Sequence, residues 1–220
     1  MDAAELGAAL VPCALTPLDA SGLRLVDVAP RDRLAELEFE LPLAGGDTRT
    51  GTPLDLAAVA ALLRTHLAVT DPLSGYADDL AALGGEPHRG YLTGSIDAVL
   101  RLPGGRFAVV DYKTNRLGPP RPEPLLVEHY AFPRLVEAMR AAHYPLQALL
   151  YSAALHRYLR WRLPGYDPAR QLGGVLYLFV RGMAGPATPV VDGRACGVFS
   201  WTPPPALVTD LSGLLDGSAP

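Results

Sequence analysis

Lysine is almost missing from this chain. One lysine, Lys113, stands against eighteen arginines in 220 residues (19 Lys+Arg less one). Because a phosphate-binding P-loop needs Gly-Lys-Ser/Thr and the sole lysine follows Tyr112, nucleotide hydrolysis of that type is excluded. Cysteine is scarce too. Cys13 and Cys196 lie far apart with no metal-ligand spacing, which excludes a four-cysteine iron–sulfur cluster and a structural zinc site and suggests a reducing compartment. A basic surplus is also lacking: the net charge is −4 and the pI about 5.7, so composition does not advertise nucleic-acid binding. No apolar run is long enough to span a bilayer, and the start, Met-Asp-Ala-Ala-Glu, is acidic where a secretory signal is basic. A cytoplasmic protein with no membrane partner is expected.

What is present suits one globular domain, with 49% apolar and 19% charged residues. Ala/Leu-rich segments 3–15 and 54–69 read as helices, and 134–162 carries helical patterning. Segments 34–41, 91–102, 106–113 and 173–181 read as strands. Residues 116–133 hold five prolines and read as a loop crossing the front of the site, while 184–200 shows only weak strand character. Local basic surface is offered by Arg157, Arg160 and Arg162 or by Arg116 and Arg121; an ordinary solvated face explains these equally well.

The lone lysine lies in Val109-Val110-Asp111-Tyr112-Lys113-Thr114-Asn115. Residues i and i+2 of a strand share a face, so Asp111 and Lys113 project side by side. A surface ion pair would show the same triplet. Here, however, the preceding residues are apolar on both faces, as in a covered central strand, where a buried carboxylate needs a cation or donors. Lysine also differs from arginine in being able to lose its proton and act as a base, which gives chemistry a reason to retain it.

A second carboxylate comes from Tyr91–Leu102, which ends in the turn signal Pro103-Gly104-Gly105. If Leu102 faces Arg106 across a three-residue loop, Asp97 falls opposite Asp111 on one face. A two-residue loop would separate them. Like charges so placed repel unless a divalent ion lies between them, and Mg²⁺ takes one or two carboxylates plus waters and phosphate oxygens. A third acid can come from the alternating segment Glu36-Leu37-Glu38-Phe39-Glu40-Leu41, although parity does not choose among its glutamates.

Taken in order, the glutamate strand, Gly94-Ser95-Ile96-Asp97, the Asp111/Lys113 segment, the helix containing Gln147 and Tyr151, and Leu172-Gly173-Gly174-Val175-Leu176-Tyr177 resemble the C-terminal nuclease domain of the RecB family. These are the β subunits of exodeoxyribonuclease V, within the PD-(D/E)XK nuclease superfamily. The resemblance covers roughly residues 5–215. It implies an α/β restriction-endonuclease-like fold, a central mixed sheet flanked by helices, and Mg²⁺-dependent hydrolysis of DNA phosphodiesters at double-stranded ends and on single strands, in double-strand-break repair by recombination. It implies Asp97 and Asp111 as metal ligands, with Tyr112 contributing its backbone carbonyl. Lys113 would position or activate water and stabilise charge on the phosphate, Glu36 would match the upstream glutamate, and Gln147 and Tyr151 would stand near the active site. A polar stripe against the sheet is the plainer reading of the last two; His143, four residues before Gln147, shares their face, and His143 and His156 remain unassigned.

One departure stands out. The family carries a histidine ligand on a helix before the glutamate strand, and residues 1–30 contain no histidine. The expectation is therefore a single domain over 1–220 that begins inside the nuclease domain, without that helix and without the helicase portion. RecC-like and RecD-like subunits and RecA are partners by resemblance. Two rivals remain: a catalytically silent module that binds partner subunits or RecA, and a stand-alone nuclease of another PD-(D/E)XK branch.

Overall fold

The computed structural model describes residues 2–44, 46 and 53–217. Strands β1 (Arg33–Leu43), β2 (Gly90–Leu102), β3 (Arg106–Lys113), β4 (Leu172–Phe179) and β7 (Val198–Trp201) form one sheet in the order β1-β2-β3-β4-β7. Only β3 and β4 run parallel, so the sheet is mixed, with β3 at its centre. A separate two-stranded ribbon joins β5 (Val190–Val191) to β6 (Arg194–Ala195). The helices are α1 (Ala3–Leu15), α2 (Leu56–His66), α3 (Tyr76–Leu83), α4 (Phe132–Ala141), α5 (Tyr144–Arg162), α6 (Pro168–Gln171) and α7 (Pro205–Leu215). Together they make the mixed α/β sheet-and-helix architecture that the resemblance implies.

Alternation along β3 divides the interior. Val109 faces a large core built with α2, α3, α4, α5 and α7, whereas Val110 faces a smaller one closed by Cys13 of α1 with Leu18, Leu25 and Val28. Asp111 and Lys113 share parity with Val109 and so belong to the large-core face. Helix α5 buries Ala148, Leu149, the run 152–156 and Leu159, as a helix between a sheet and other helices must. Burying a Leu or Val fully contributes roughly 1.5–3 kcal/mol, so this inner helix is held firmly where it crosses the sheet.

The turn after β2 sets the register. Pro103, Gly104 and Gly105 form the loop, with φ of 81° at Gly104 and 77° at Gly105, a left-handed conformation that glycine adopts without strain. Leu102 pairs with Arg106 and Ala98 with Val110, the three-residue alternative. A second adjustment lies on β4, where Phe107 pairs with Leu172 but Val109 pairs with Val175, leaving one extra residue at Gly173-Gly174. Gly174 has φ of 88°, and a Cβ there would come within 2.6 Å of the Trp201 carbonyl oxygen. This bulge brings Tyr177 beside Asp111.

The helical pattern over 134–162 divides in two. His143 adopts a left-handed conformation (φ 53°) and Pro145, which has no N–H to continue α4, sits in the first turn of α5. Pro133 likewise belongs to the first turn of α4, so the proline-rich loop ends earlier than 133 and contains a 3-10 turn over Val127–Tyr130. Helices α3 and α7 lie outside the elements that periodicity marks, and the weak strand character over 184–200 resolves into β5, β6 and most of β7. Among the described residues no helix is long and apolar enough to cross a membrane.

Candidate active site

Strand β3 delivers Asp111 and Lys113 to the large-core face, where α5 crosses the sheet. The Lys113 ammonium lies 2.7 Å from Asp111 Oδ2, with side chains only 12% and 5% exposed. It donates to Gln147 Oε1 at 3.1 Å and sits 3.9 Å from the centre of the Tyr144 ring and 5.2 Å from that of Tyr177. A cation enclosed by two aromatic faces, a carboxylate and an amide oxygen is held in one place.

Gln147 is fixed in turn. The Tyr177 hydroxyl donates to the same Oε1 at 3.1 Å, and Gln147 Nε2 donates to the Tyr151 hydroxyl at 3.0 Å. Since Lys113 has only donors, the amide oxygen must face it, and the amide nitrogen is left for Tyr151. Tyr151 packs edge-on against Phe39 of β1. His143 is not part of this chain of contacts; its Nδ1 lies 3.3 Å from the Tyr76 hydroxyl, at the head of α5.

Asp97 reaches the site differently. Pairing of β2 with β3 ends at Ala98–Val110, and the next step of that register sets Asp97 opposite Asp111. Its Oδ2 accepts the Tyr112 backbone N–H at 2.9 Å, so the carboxylate caps the point where β2 leaves β3. Simple alternation fails here: Ile96 and Val99 both serve the large core, while Ala98 and Leu100 serve the small one. On β1 the residue opposite Asp97 in register is Glu36, which is exposed, has φ of 50° and is skipped by the pairing. Glu38 and Glu40 are exposed as well.

Electrostatically the centre is Asp111. Burial pushes its carboxyl above the ordinary range, the neighbouring Lys113 ammonium opposes that rise, and the Asp97 charge adds to it. Oδ2 of Asp111 is buried with the Lys113 ammonium 2.7 Å away as its partner. A buried carboxylate with one ammonium partner, beside a second carboxylate, is a place for a further cation. Burial also pushes the Tyr177 hydroxyl far above the usual phenol range, and the Tyr151 hydroxyl above it. Both therefore remain neutral.

Among the described residues no group of three or more His, Cys, Asp or Glu side chains is placed to hold a metal ion. The donor set available is thus two carboxylates and backbone oxygen. That all-oxygen set fits a hard divalent ion that keeps several waters, and does not fit a closed zinc site.

Tyr144 and Tyr177 carry no signal in sequence as partners of Lys113, because each is an aromatic on a segment with an adequate packing role. Asn115, two residues after Lys113, exchanges a 3.3 Å contact with the Tyr144 hydroxyl and accepts from Tyr130 through its carbonyl at 2.8 Å, which anchors the start of the proline-rich loop beside the site. Two of the candidate basic residues have structural duties. Arg157 is turned inward to Ser212 and Asp216, and Arg116 donates to the carbonyls of Pro119 and Glu123. His156 is a packing histidine, buried against Tyr166.

A five-stranded mixed sheet whose central strand presents Asp-x-Lys, with a second aspartate on the adjoining strand, defines a class, and comparison of sequences agrees: residues 25–196 match the PD-(D/E)XK nuclease superfamily, to which this chain belongs. It is 58% identical, over its whole length, to the RecBCD enzyme subunit RecB of Mycolicibacterium smegmatis, and 59% identical over 97% of its length to that of Mycobacterium tuberculosis. Similarity extends to RecB of Escherichia coli, at 38% identity over 76% of the chain. The chain spans 20% of the length of the two mycobacterial relatives and 12% of the third.

Proposed function

We propose that this chain is a divalent-metal-dependent deoxyribonuclease domain of RecB type, with Mg²⁺ as its ion. The observation that supports this most is the buried Asp111 carboxylate between Asp97 and the enclosed Lys113. In this reading Asp97, Asp111 and the Tyr112 carbonyl hold the ion, which when bound supplies Lewis acidity to a phosphate oxygen and acidifies water. Lys113 orients the attacking water or takes its proton, and its charge offsets the negative charge that grows on the phosphate. Gln147 and Tyr177 keep the ammonium aimed, and Tyr151 keeps Gln147 in its orientation. Glu36, on the strand across from Asp97, serves as a further acid at the rim.

The names of the relatives extend the proposal. As part of a RecBCD-like enzyme the domain would process double-strand ends for recombinational repair in the cytoplasm, with RecC-like and RecD-like subunits and RecA as partners. The shortage of acidic and histidine ligands among the described residues favours one alternative, a module that keeps the fold for binding partners without cleaving DNA. The deciding experiment is cleavage of labelled linear duplex and single-stranded DNA by the purified chain, with Mg²⁺ or with EDTA, beside Asp111→Ala and Lys113→Ala. Cleavage that needs Mg²⁺ and disappears in both variants is expected. A folded chain that leaves both DNAs intact would establish the binding module instead.

A further inference from the structure

We infer that a second groove, beyond the carboxylates from Lys113, holds the continuing single strand of nucleic acid; the identity of its occupant rests on the nuclease reading. The groove has a volume of about 290 Å³ and lies between α5 and the β1–β2 pair, with Arg31, Arg33, Arg101, Leu34, Phe107 and Tyr158 on its walls. A neighbouring cleft between the same elements is lined by Phe39, Gly94, Gln147 and Tyr151. Glu36 lies between Leu34 and Phe39 on β1, and Asp97 between Gly94 and Val99 on β2, so the carboxylates separate the two depressions. From Gln147 to Tyr158 the helix advances about 17 Å at 1.5 Å per residue, the length of a path past the site.

The chemistry of the walls suits a polynucleotide. Two guanidiniums share one carboxylate: Arg101 Nε lies 2.6 Å from Asp32 Oδ1 and Arg31 Nε 3.8 Å from Oδ2, while a third, that of Arg33, donates to the Val28 carbonyl at 2.7 Å. Three positive charges less one negative leave two in excess, in a chain whose net charge is −4. Such a local field gathers phosphates despite the overall sign. The Arg31 side chain is 85% exposed, so its guanidinium is free to reach them. Leu34 is 39% exposed, and the Tyr158 hydroxyl has no hydrogen-bond partner among the described residues. One turn further, Trp161 is 76% exposed, with the Arg162 guanidinium 5.0 Å from its ring centre. Arginines along a path with aromatic rings are how proteins grip unstacked bases, whereas a duplex hides its base faces.

The test is titration of an oligothymidylate of about 16 nucleotides, the upper range of single-strand site sizes, followed by anisotropy and by tryptophan emission in EDTA. Trp201 is buried, so quenching on binding reports Trp161, and Trp161→Phe removes that signal. The Arg31→Gln/Arg101→Gln variant should bind at least about tenfold more weakly and flatten the dependence of log K on log salt by about 1.4, or 0.7 per lost phosphate contact. Tyr158→Leu should weaken binding about tenfold, consistent with loss of one stacked base, and leave the salt slope unchanged. Thermal melts followed by circular dichroism check folding, and Arg31→Gln alone, at an exposed position, gives half the slope change should the double variant fail to fold. Unchanged affinity in folded variants would overturn the groove, as would a duplex of equal length bound as tightly through the same residues. Because binding is read without cleavage, a chain that grips the strand through these residues but never cuts it refutes the nuclease reading and leaves the groove standing.

Discussion

Helix α5 presses two ionisable groups into the interior, Asp111 near its first two turns and His156 on its fourth, and they handle charge differently. His156 gives its charge up. Burial, with Arg160 and Arg157 nearby, pushes its imidazole down to about 4, and one contact of 3.0 Å with the Tyr166 hydroxyl satisfies Nδ1. Asp111 is pushed by burial in the direction that also favours neutrality, but Lys113 opposes this, and the Asp97 carboxylate beside it adds charge that no second cation among the described residues offsets. A structural polar group is closed off by its neighbours. The carboxylate at the site is left open to something the protein does not supply, and that difference separates packing from chemistry.

Removing either charge at the open end should have the largest effect. Lys113→Ala is expected to abolish DNA hydrolysis, a fall of at least about 10²–10⁴-fold, with little loss of folding on thermal melts. Normal cleavage by that variant would refute the role of the lysine. At the closed end the expected effect is on stability. The folded-state pKa of His156 lies below that of the unfolded chain, so the unfolded state binds the extra proton. Stability is therefore complete above about pH 6.5 and is lost as pH falls toward 4, by up to about 3 kcal/mol. Urea melts of the wild type and His156→Leu across that range should differ in slope; parallel curves would show that the imidazole remains charged inside.

Tyr177→Phe probes the boundary between the two behaviours, since its hydroxyl both packs and holds Gln147. Loss of that hydrogen bond should cost about 1 kcal/mol and lower kcat several-fold with KM unchanged. A variant that loses stability but retains kcat would move Tyr177 to the structural side. The smallest effect on stability is expected from Asp111→Asn, whose effect on hydrolysis matches that of Lys113→Ala. Because the carboxyl is raised above its unfolded value, its favourable contribution is lost as pH rises through the folded pKa, so near neutrality the carboxylate burdens the fold. The amide should shift thermal stability little, and upward, while eliminating hydrolysis. A destabilised variant would mean that the Lys113 contact outweighs burial.

Much of the frame around Asp111 was legible because strands and tight turns obey local rules. Apolar residues on both faces of 106–113 require a covered central strand, and Gly104-Gly105 permits the loop that pairs Leu102 with Arg106. Where local rules are broken, the sequence misleads. Parity along β2 and β1 does not survive Asp97 and Glu36, since the faces exchange there, and the apparent single helix over 134–162 is two. Helix α7 was less visible: Ser212 interrupts its buried side, Gly213 follows, and packing on α2 and α5 supplies what local propensity does not.

Local periodicity is enough to set Asp111 and Lys113 on one face, since a strand repeats every two residues, and Gln147 and Tyr151 on another, since a helix returns after four. Those relations need nothing beyond backbone geometry. Tertiary structure alone decided that Tyr144 and Tyr177 close over the ammonium, that the Asp97 carboxylate accepts the Tyr112 N–H, and that Arg101 meets Asp32. Each of these joins residues distant in sequence, and such contacts are set by how a bulge on β4 and the packing of α5 bring whole elements together.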